Sequence, residues 1–180
     1  MGGSASQAFS FLIETAFQLY LAVLMLRILL EALRADYYNP VCQALIRVTD
    51  PLVKPLAKVI PRVGSVSLAG IAWLYILELV LLVILMVLND WTMGWSVLFL
   101  LAALRLVRML LVLYLVLIIA SVILSWVGQG FRHPIVPLIY QLTEPVLAPI
   151  RRVLPPLGGF DLSPLVALIA IQFLIILLGV

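Results

Sequence analysis

Two ionisable residues sit deep inside apolar runs of this sequence, Arg27 in the first run and Glu78 in the second. Glu78 stands ten residues from each end of the run Leu68 to Leu88. A lone carboxylate at the centre of a bilayer costs about 2.5 to 3.5 kcal/mol, so Glu78 is expected to be protonated or paired. An offset of 94 positions takes Arg27 to Ser121 and Glu78 to Gln172. The expectation is an interhelical pair, Arg27 with Glu78, and a neutral counterpart in Ser121 and Gln172. Such pairs act as glue between helices. An ion or proton path needs a chain of titratable sites or a ring of like groups, which one acid and one base do not supply. Glu31, four residues after Arg27, competes for it near the surface. Glu14, near the opposite surface, is expected to snorkel or to meet Arg105 or Arg108.

Other chemistry finds little support. His133 precedes Pro134 as Asn39 precedes Pro40, which favours a turn or cap role. Metal or haem ligation by His133 would need a second His, a CxxCH or a Cys cluster, and the sequence has none. Cys42 is the single cysteine, so no intrachain disulfide forms, and it reads as a small hydrophobe. Ser67 and Asp161 occupy matching places before apolar runs and are expected to cap them. Candidates for Ser-His-Asp or paired-carboxylate catalysis are scattered between opposite faces of a membrane. No catalytic residue, metal site or cofactor is therefore assigned, and the chain does not read as an enzyme.

The basic residues follow a pattern. Arg47, Lys54 and Lys58 fall within about 20° of one another on a helical wheel, with Leu45, Val48, Leu52 and Leu56 elsewhere on its surface. Glu144, Ala148, Arg151 and Arg152 form the matching stripe later in the chain, and Arg62 follows the first. These are candidate contacts to anionic lipid and to membrane or cytoplasmic proteins. Basic clusters beside membrane spans set topology rather than bind nucleic acid. Prolines are expected to break the stripes into short interfacial helices starting at Pro40, Pro51, Pro134 and Pro145.

The elements that carry these residues come from a duplication. Residues 20–70 recur as 114–164 without a gap: Pro40, Thr49, Pro51, Pro55, Pro61 and Gly64 return as Pro134, Thr143, Pro145, Pro149, Pro155 and Gly158. The chain is 66% apolar and 11% charged, with a mean hydropathy of +1.28, so its solvent is lipid. The fold expected is an all-α membrane protein, with four transmembrane helices in two tandem hairpin repeats. The first repeat covers 1–88, with crossings at 9–33 and 68–88 around an amphipathic stretch at 40–62. The second covers 107–180, with crossings at 107–127 and 164–180 around 134–156. Residues 89–106 are expected as a linker whose apolar part, 91–104, is an interfacial or half-inserted helix. The first crossing reads as an uncleaved anchor.

Eight basic residues lie between the paired crossings: Arg34, Arg47, Lys54, Lys58 and Arg62 in the first repeat, and Arg132, Arg151 and Arg152 in the second. The positive-inside rule then puts both connectors in the cytoplasm. Inverted repeats would need the short linker helix to cross, over only about 21 Å.

These residues resemble the YggT (YlmG) family of small bacterial and plastid membrane proteins. The resemblance is carried by Leu26 to Leu29, Asp36 to Pro40, Thr49 to Leu52 and the Pro55 to Pro61 stretch in copy one. In copy two it is carried by Leu124 to Trp126, Pro134, Ile135, Glu144, Pro145, Pro149 to Arg152 and Pro155 to Pro164. It implies a multi-pass protein of the bacterial inner membrane, linked with osmotic tolerance and ion uptake, cell division or nucleoid placement, and in plastids cytochrome assembly. The function expected is a non-enzymatic scaffold or assembly factor that meets lipid and proteins through its basic connectors. The alternative is a channel, carrier or auxiliary subunit for potassium or osmolytes. With four helices per chain, that alternative calls for a homo-oligomer.

Overall fold

A computed structural model describes residues 3–127, 133–154 and 161–179. They form six helices and, among the described residues, no strand: α1 Gly3–Ala32, α2 Pro40–Ala57, α3 Leu68–Leu88, α4 Trp95–Val127, α5 Ile135–Val153 and α6 Ser163–Leu178. Arg132 and the turn expected around Pro155 and Gly158 lie outside the described residues.

Three helices are long and apolar enough to cross a membrane, over Ser6–Ala32, Leu68–Leu88 and Trp95–Trp126. The helix expected to cross over 164–180 is a shorter apolar one, α6, of 16 residues and about 24 Å. The separate linker helix does not exist. Residues 89–94 turn the chain, and from Trp95 the helix runs on for 33 residues, about 50 Å. No Gly or Pro lies between Trp95 and Val127, so nothing ends the hydrogen-bond ladder once it has started. The first third of α4 instead packs Leu98 and Ala102 against Leu82 of α3.

The connectors are also longer helices than expected. α2 runs through Pro51 and Pro55, and α5 through Pro145 and Pro149. All four prolines are exposed and spaced four apart, so the carbonyls they leave without an N–H partner lie along the outer face. The inner face is apolar, with Cys42 and Val53 buried on α2 and Leu138, Leu142 and Leu147 on α5. Thr49 and Thr143, both fully buried, satisfy themselves by donating to the carbonyls of Leu45 and Ile139, at 2.6 and 2.9 Å.

Caps fall where the repeat puts them. Asn39 Oδ1 accepts from Val41 N–H, and Ser67 Oγ accepts from Gly70 N–H. In the second copy His133 Nδ1 accepts from Ile135 N–H, and Asp161 Oδ1 from Ser163 N–H. α1 ends in a Schellman motif. The N–H groups of Arg34 and Ala35 reach back to the carbonyls of Glu31 and Leu30, with Arg34 in the left-handed region at φ 53°.

α1 and α3 run in opposite directions. Ser6 Oγ donates to Leu88 O at one end, and Ser65 Oγ donates to Ala32 O at the other, each at 2.9 Å. Between them Gly70 lets the helices close in, since a Cβ there would stand 3.0 Å from Ile28 Cγ1. The two repeats meet at the end where α1 and α4 finish. There Leu30, Cys42, Leu117, Leu138, Ile139 and Leu142 form one buried cluster. Two hydrogen bonds cross it: Asn39 Nδ2 to Pro134 O at 2.7 Å, and Gln141 Nε2 to Leu33 O at 3.0 Å.

Candidate functional site

The buried charges form two clusters, and neither is the pair expected from sequence. Arg27 does not meet Glu78. The Arg27 side chain is 8% exposed; its Nε bonds Glu31 Oε1 at 2.8 Å, while Nη1 stands 2.6 Å from Thr49 Oγ1 and 3.0 Å from Asp50 Oδ1. The reason is axial position. Arg27 lies about 8 Å from the end of α1 and Glu78 about 15 Å from the start of α3, and α2 brings Asp50 beneath Arg27 before Glu78 is in reach. Arg62 and Lys54 close the network from outside, on Glu31 and Asp50, each at 2.8 Å. Burial disfavours the charge on Asp50, but the bonds from Lys54 and Arg27 outweigh it and hold the carboxyl below the ordinary range.

Glu78, 1% exposed, faces Arg105 of α4 instead. Arg105 Nη2 bonds Glu14 Oε1 at 2.7 Å, and its Nε stands 2.7 Å from Glu78 Oε1. Glu78 Oε1 is sealed from solvent, and the Arg105 guanidinium is its ionic partner. The continuous α4 makes this cluster possible, because it carries Arg105 alongside α3. A cavity of about 440 Å³ opens beside it between α1 and α4, lined by Gln18, Glu78, Arg105 and Arg108 and by the apolar side chains of Leu19, Val112 and Val116. Arg108 makes no ion pair among the described residues.

Along α1 and α3 the two clusters are separated by Leu21, Leu24, Met25 and Leu74, all buried in one core. Among the described residues no continuous line of polar groups joins them. The expected neutral counterpart does not form either: Ser121 donates to Ile118 O at 2.8 Å, and Gln172 is exposed on α6.

The residues expected to meet lipid or proteins are all exposed, and three already have partners. Lys54 and Arg62 are in the network above, and Arg151 bonds Glu144 at 3.1 Å and Asp161 at 3.0 Å. The Asp161 bond chiefly, with Glu144 and against some burial, holds the Arg151 guanidinium above its usual value. Arg47, Lys58 and Arg152 make no ion pair among the described residues.

Sequence reasoning placed the Glu31 and Glu14 contacts but missed Thr49 with Asp50 as the partners of Arg27. The signal was there: Thr49-Asp50-Pro51 returns as Thr143-Glu144-Pro145 at the repeat offset. No cluster of His, Cys, Asp or Glu able to hold a metal occurs among the described residues.

The fold and its buried polar groups define a helical-repeat membrane protein. The chain belongs to the CCB3/YggT family, whose model matches residues 6–88 and again 94–180. A Vibrio alginolyticus protein, described by its place in the region 3′ of proC, is 44% identical over 94% of this chain and 92% of its own. The Escherichia coli K12 protein YggT is 38% identical over 87% of this chain and 81% of its own. The Pseudomonas aeruginosa protein PA0392 is 36% identical over 91% and 84%. No solved structure matches.

Proposed function

We propose that this protein is a non-enzymatic scaffold or assembly factor of the bacterial inner membrane. In this reading four helices cross as two like-oriented hairpins, with α6 reaching across by local thinning of the bilayer. α2 and α5, which meet near their starts, lie on the cytoplasmic surface, where their outer faces meet anionic lipid and partner proteins. The observation that carries the reading is the hydrogen bond from Asn39 Nδ2 to Pro134 O at 2.7 Å, which joins the starts of the two connectors at one end of the molecule. Arg47, Lys58 and Arg152 are the cations available for docking, each worth about 1 kcal/mol at an anionic surface. Lys54, Arg62 and Arg151 contribute less because carboxylates already hold them.

The alternative, a channel, carrier or auxiliary subunit for potassium or osmolytes, draws on the charges within the apolar helices. The leucine-rich core between the two clusters argues against it. Reconstitution tests both. Vesicles rich in phosphatidylglycerol should compete with partner crosslinking to the wild type, and Lys58→Glu with Arg152→Glu should lose that crosslinking. Potassium flux that the wild type supports and Glu78→Gln abolishes would overturn the scaffold in favour of transport.

A further inference from the structure

α6 has one face packed on the molecule and another turned away from it. Ala167 and Ile171 are buried in a cluster with Ile118 of α4 and Leu147 of α5, so this short helix lies along one long enough to cross a membrane. On the opposite side Leu165, Ile169, Gln172 and Ile176 are all exposed, and they fall within about 60° of arc. Their spacing of four, three and four residues is that of a seam between two helices crossing at a shallow left-handed angle.

Gln172 says what covers the seam. On the other apolar helices Thr15 and Ser121 donate to carbonyls of their own helix, and Gln18 donates to Glu14. The Gln172 amide has no hydrogen bond among the described residues, and it stands nine residues, about 14 Å, into α6 from Ser163. A crossing helix puts that amide in hydrocarbon, where water cannot satisfy it. An apolar partner would leave it unmet. A second copy would not, because an amide carries both donor and acceptor: a two-fold axis along the bilayer normal brings the two Gln172 side chains to the same depth, each donating to the other. The length of α6 gives a second reason for pairing. At about 24 Å it falls short of the roughly 30 Å hydrocarbon core, and oligomerising relieves a short crossing.

We infer that two copies of this chain pair through α6 as a parallel homodimer. The seam is Leu165, Ile169, Gln172 and Ile176, and its one polar contact is the reciprocal bond between the two Gln172 amides. In the first repeat the matching position is Glu78, which is held by Arg105 within the chain, so the seam belongs to the second repeat. The inference rests on α6 crossing the membrane, as in the reading above, and not on docking by the connectors.

Sedimentation equilibrium of the full chain in neutral detergent tests it. The wild type should form a dimer that Gln172→Leu weakens about tenfold, the worth of one interhelical amide contact. Lys58→Glu, on a connector, should leave the dimer unchanged. Gln172 is exposed, so its variant removes no contact within the chain. In vesicles, with Cys42→Ala as background, Ile169→Cys should crosslink between copies on oxidation, and Ala170→Cys, exposed but off the seam, should not. A monomeric wild type, a dimer indifferent to Gln172→Leu or weakened equally by Lys58→Glu, or equal crosslinking at the two cysteine positions would overturn the pairing. Reaction of Gln172→Cys with an impermeant maleimide in intact vesicles would refute the crossing of α6, and the pairing with it.

Discussion

The first repeat buries the ion pair between its crossing and its connector, and the second keeps the matching acid at the surface. Arg27, with its side chain 8% exposed, ties α1 to α2 through Thr49 and Asp50, whereas the matching Ser121 only closes on its own helix at Ile118. The acid that corresponds to Asp50 is Glu144, whose side chain is 57% exposed in its pair with Arg151. What the copies share is a set of side chains that satisfy backbone: Thr49 and Thr143 on the turn below them, Asn39 and His133 before a connector, Ser67 and Asp161 before an apolar helix. The backbone plan of the repeat thus depends on local hydrogen bonds. Ionic bonding between a crossing and its own connector is an addition that, among the described residues, the first copy has and the second does without.

Removing the addition should hurt one copy alone. Arg27→Ala strips the buried one of two cationic partners from each of Glu31 and Asp50, leaving only the exposed Arg62 and Lys54, and should cost about 3 kcal/mol, while Ser121→Ala should cost under about 1 kcal/mol. Denaturant unfolding in mixed micelles measures both, and equal losses would break the comparison. Next in size, Thr49→Val removes an acceptor from a charged donor and should cost about 2 kcal/mol. Thr143→Val removes only a neutral contact and should cost about 1 kcal/mol.

Acid sharpens the contrast in a different way, because it should act on both copies with the same sign. Asp161 is held below the ordinary carboxylate range first by the Ser163 hydroxyl, against some burial, and further by Ser163 N–H and Arg151. Asp50 is held down by Lys54 and Arg27 against burial. An acid depressed in the folded state contributes stability above its unfolded value of about 3.9, and that contribution is lost as pH falls through the folded value. Melting temperature followed from pH 7 downward should therefore fall less steeply for Asp50→Asn and for Asp161→Asn than for the wild type. The smallest effect is a gain. Arg34 holds a left-handed position where the second copy carries Gly128 in sequence, and Arg34→Gly should stabilise by about 0.5 to 1 kcal/mol in a thermal melt.

Much of this was legible in the residues. The duplication, the apolar runs and the caps at Asn39, Ser67 and Asp161 followed from spacing and local chemistry, and the structure places them accordingly. Other features depended on tertiary context. Prolines read as helix breaks because each removes a donor, but Pro51, Pro55, Pro145 and Pro149 all lie on an exposed face and the helices continue through them. Length alone suggested that 91–104 stands apart from the next crossing; the missing breaker after Trp95 was the better guide. Arg27 and Glu78 are the two charges deep in the apolar runs of the first repeat, but they differ in axial position, and the apolar runs alone do not say that a third element, α2 or α4, brings each a nearer partner.

The shared orientation of the two connectors is the claim on which the rest depends, and single cysteines test it most directly. Lys58→Cys and Arg152→Cys, each with Cys42→Ala, can be exposed to a membrane-impermeant maleimide in intact spheroplasts and in inverted membrane vesicles. Both sites should react in inverted vesicles and neither in spheroplasts. Labelling of just one of them from the spheroplast exterior would set the repeats in opposite orientations and contradict the account.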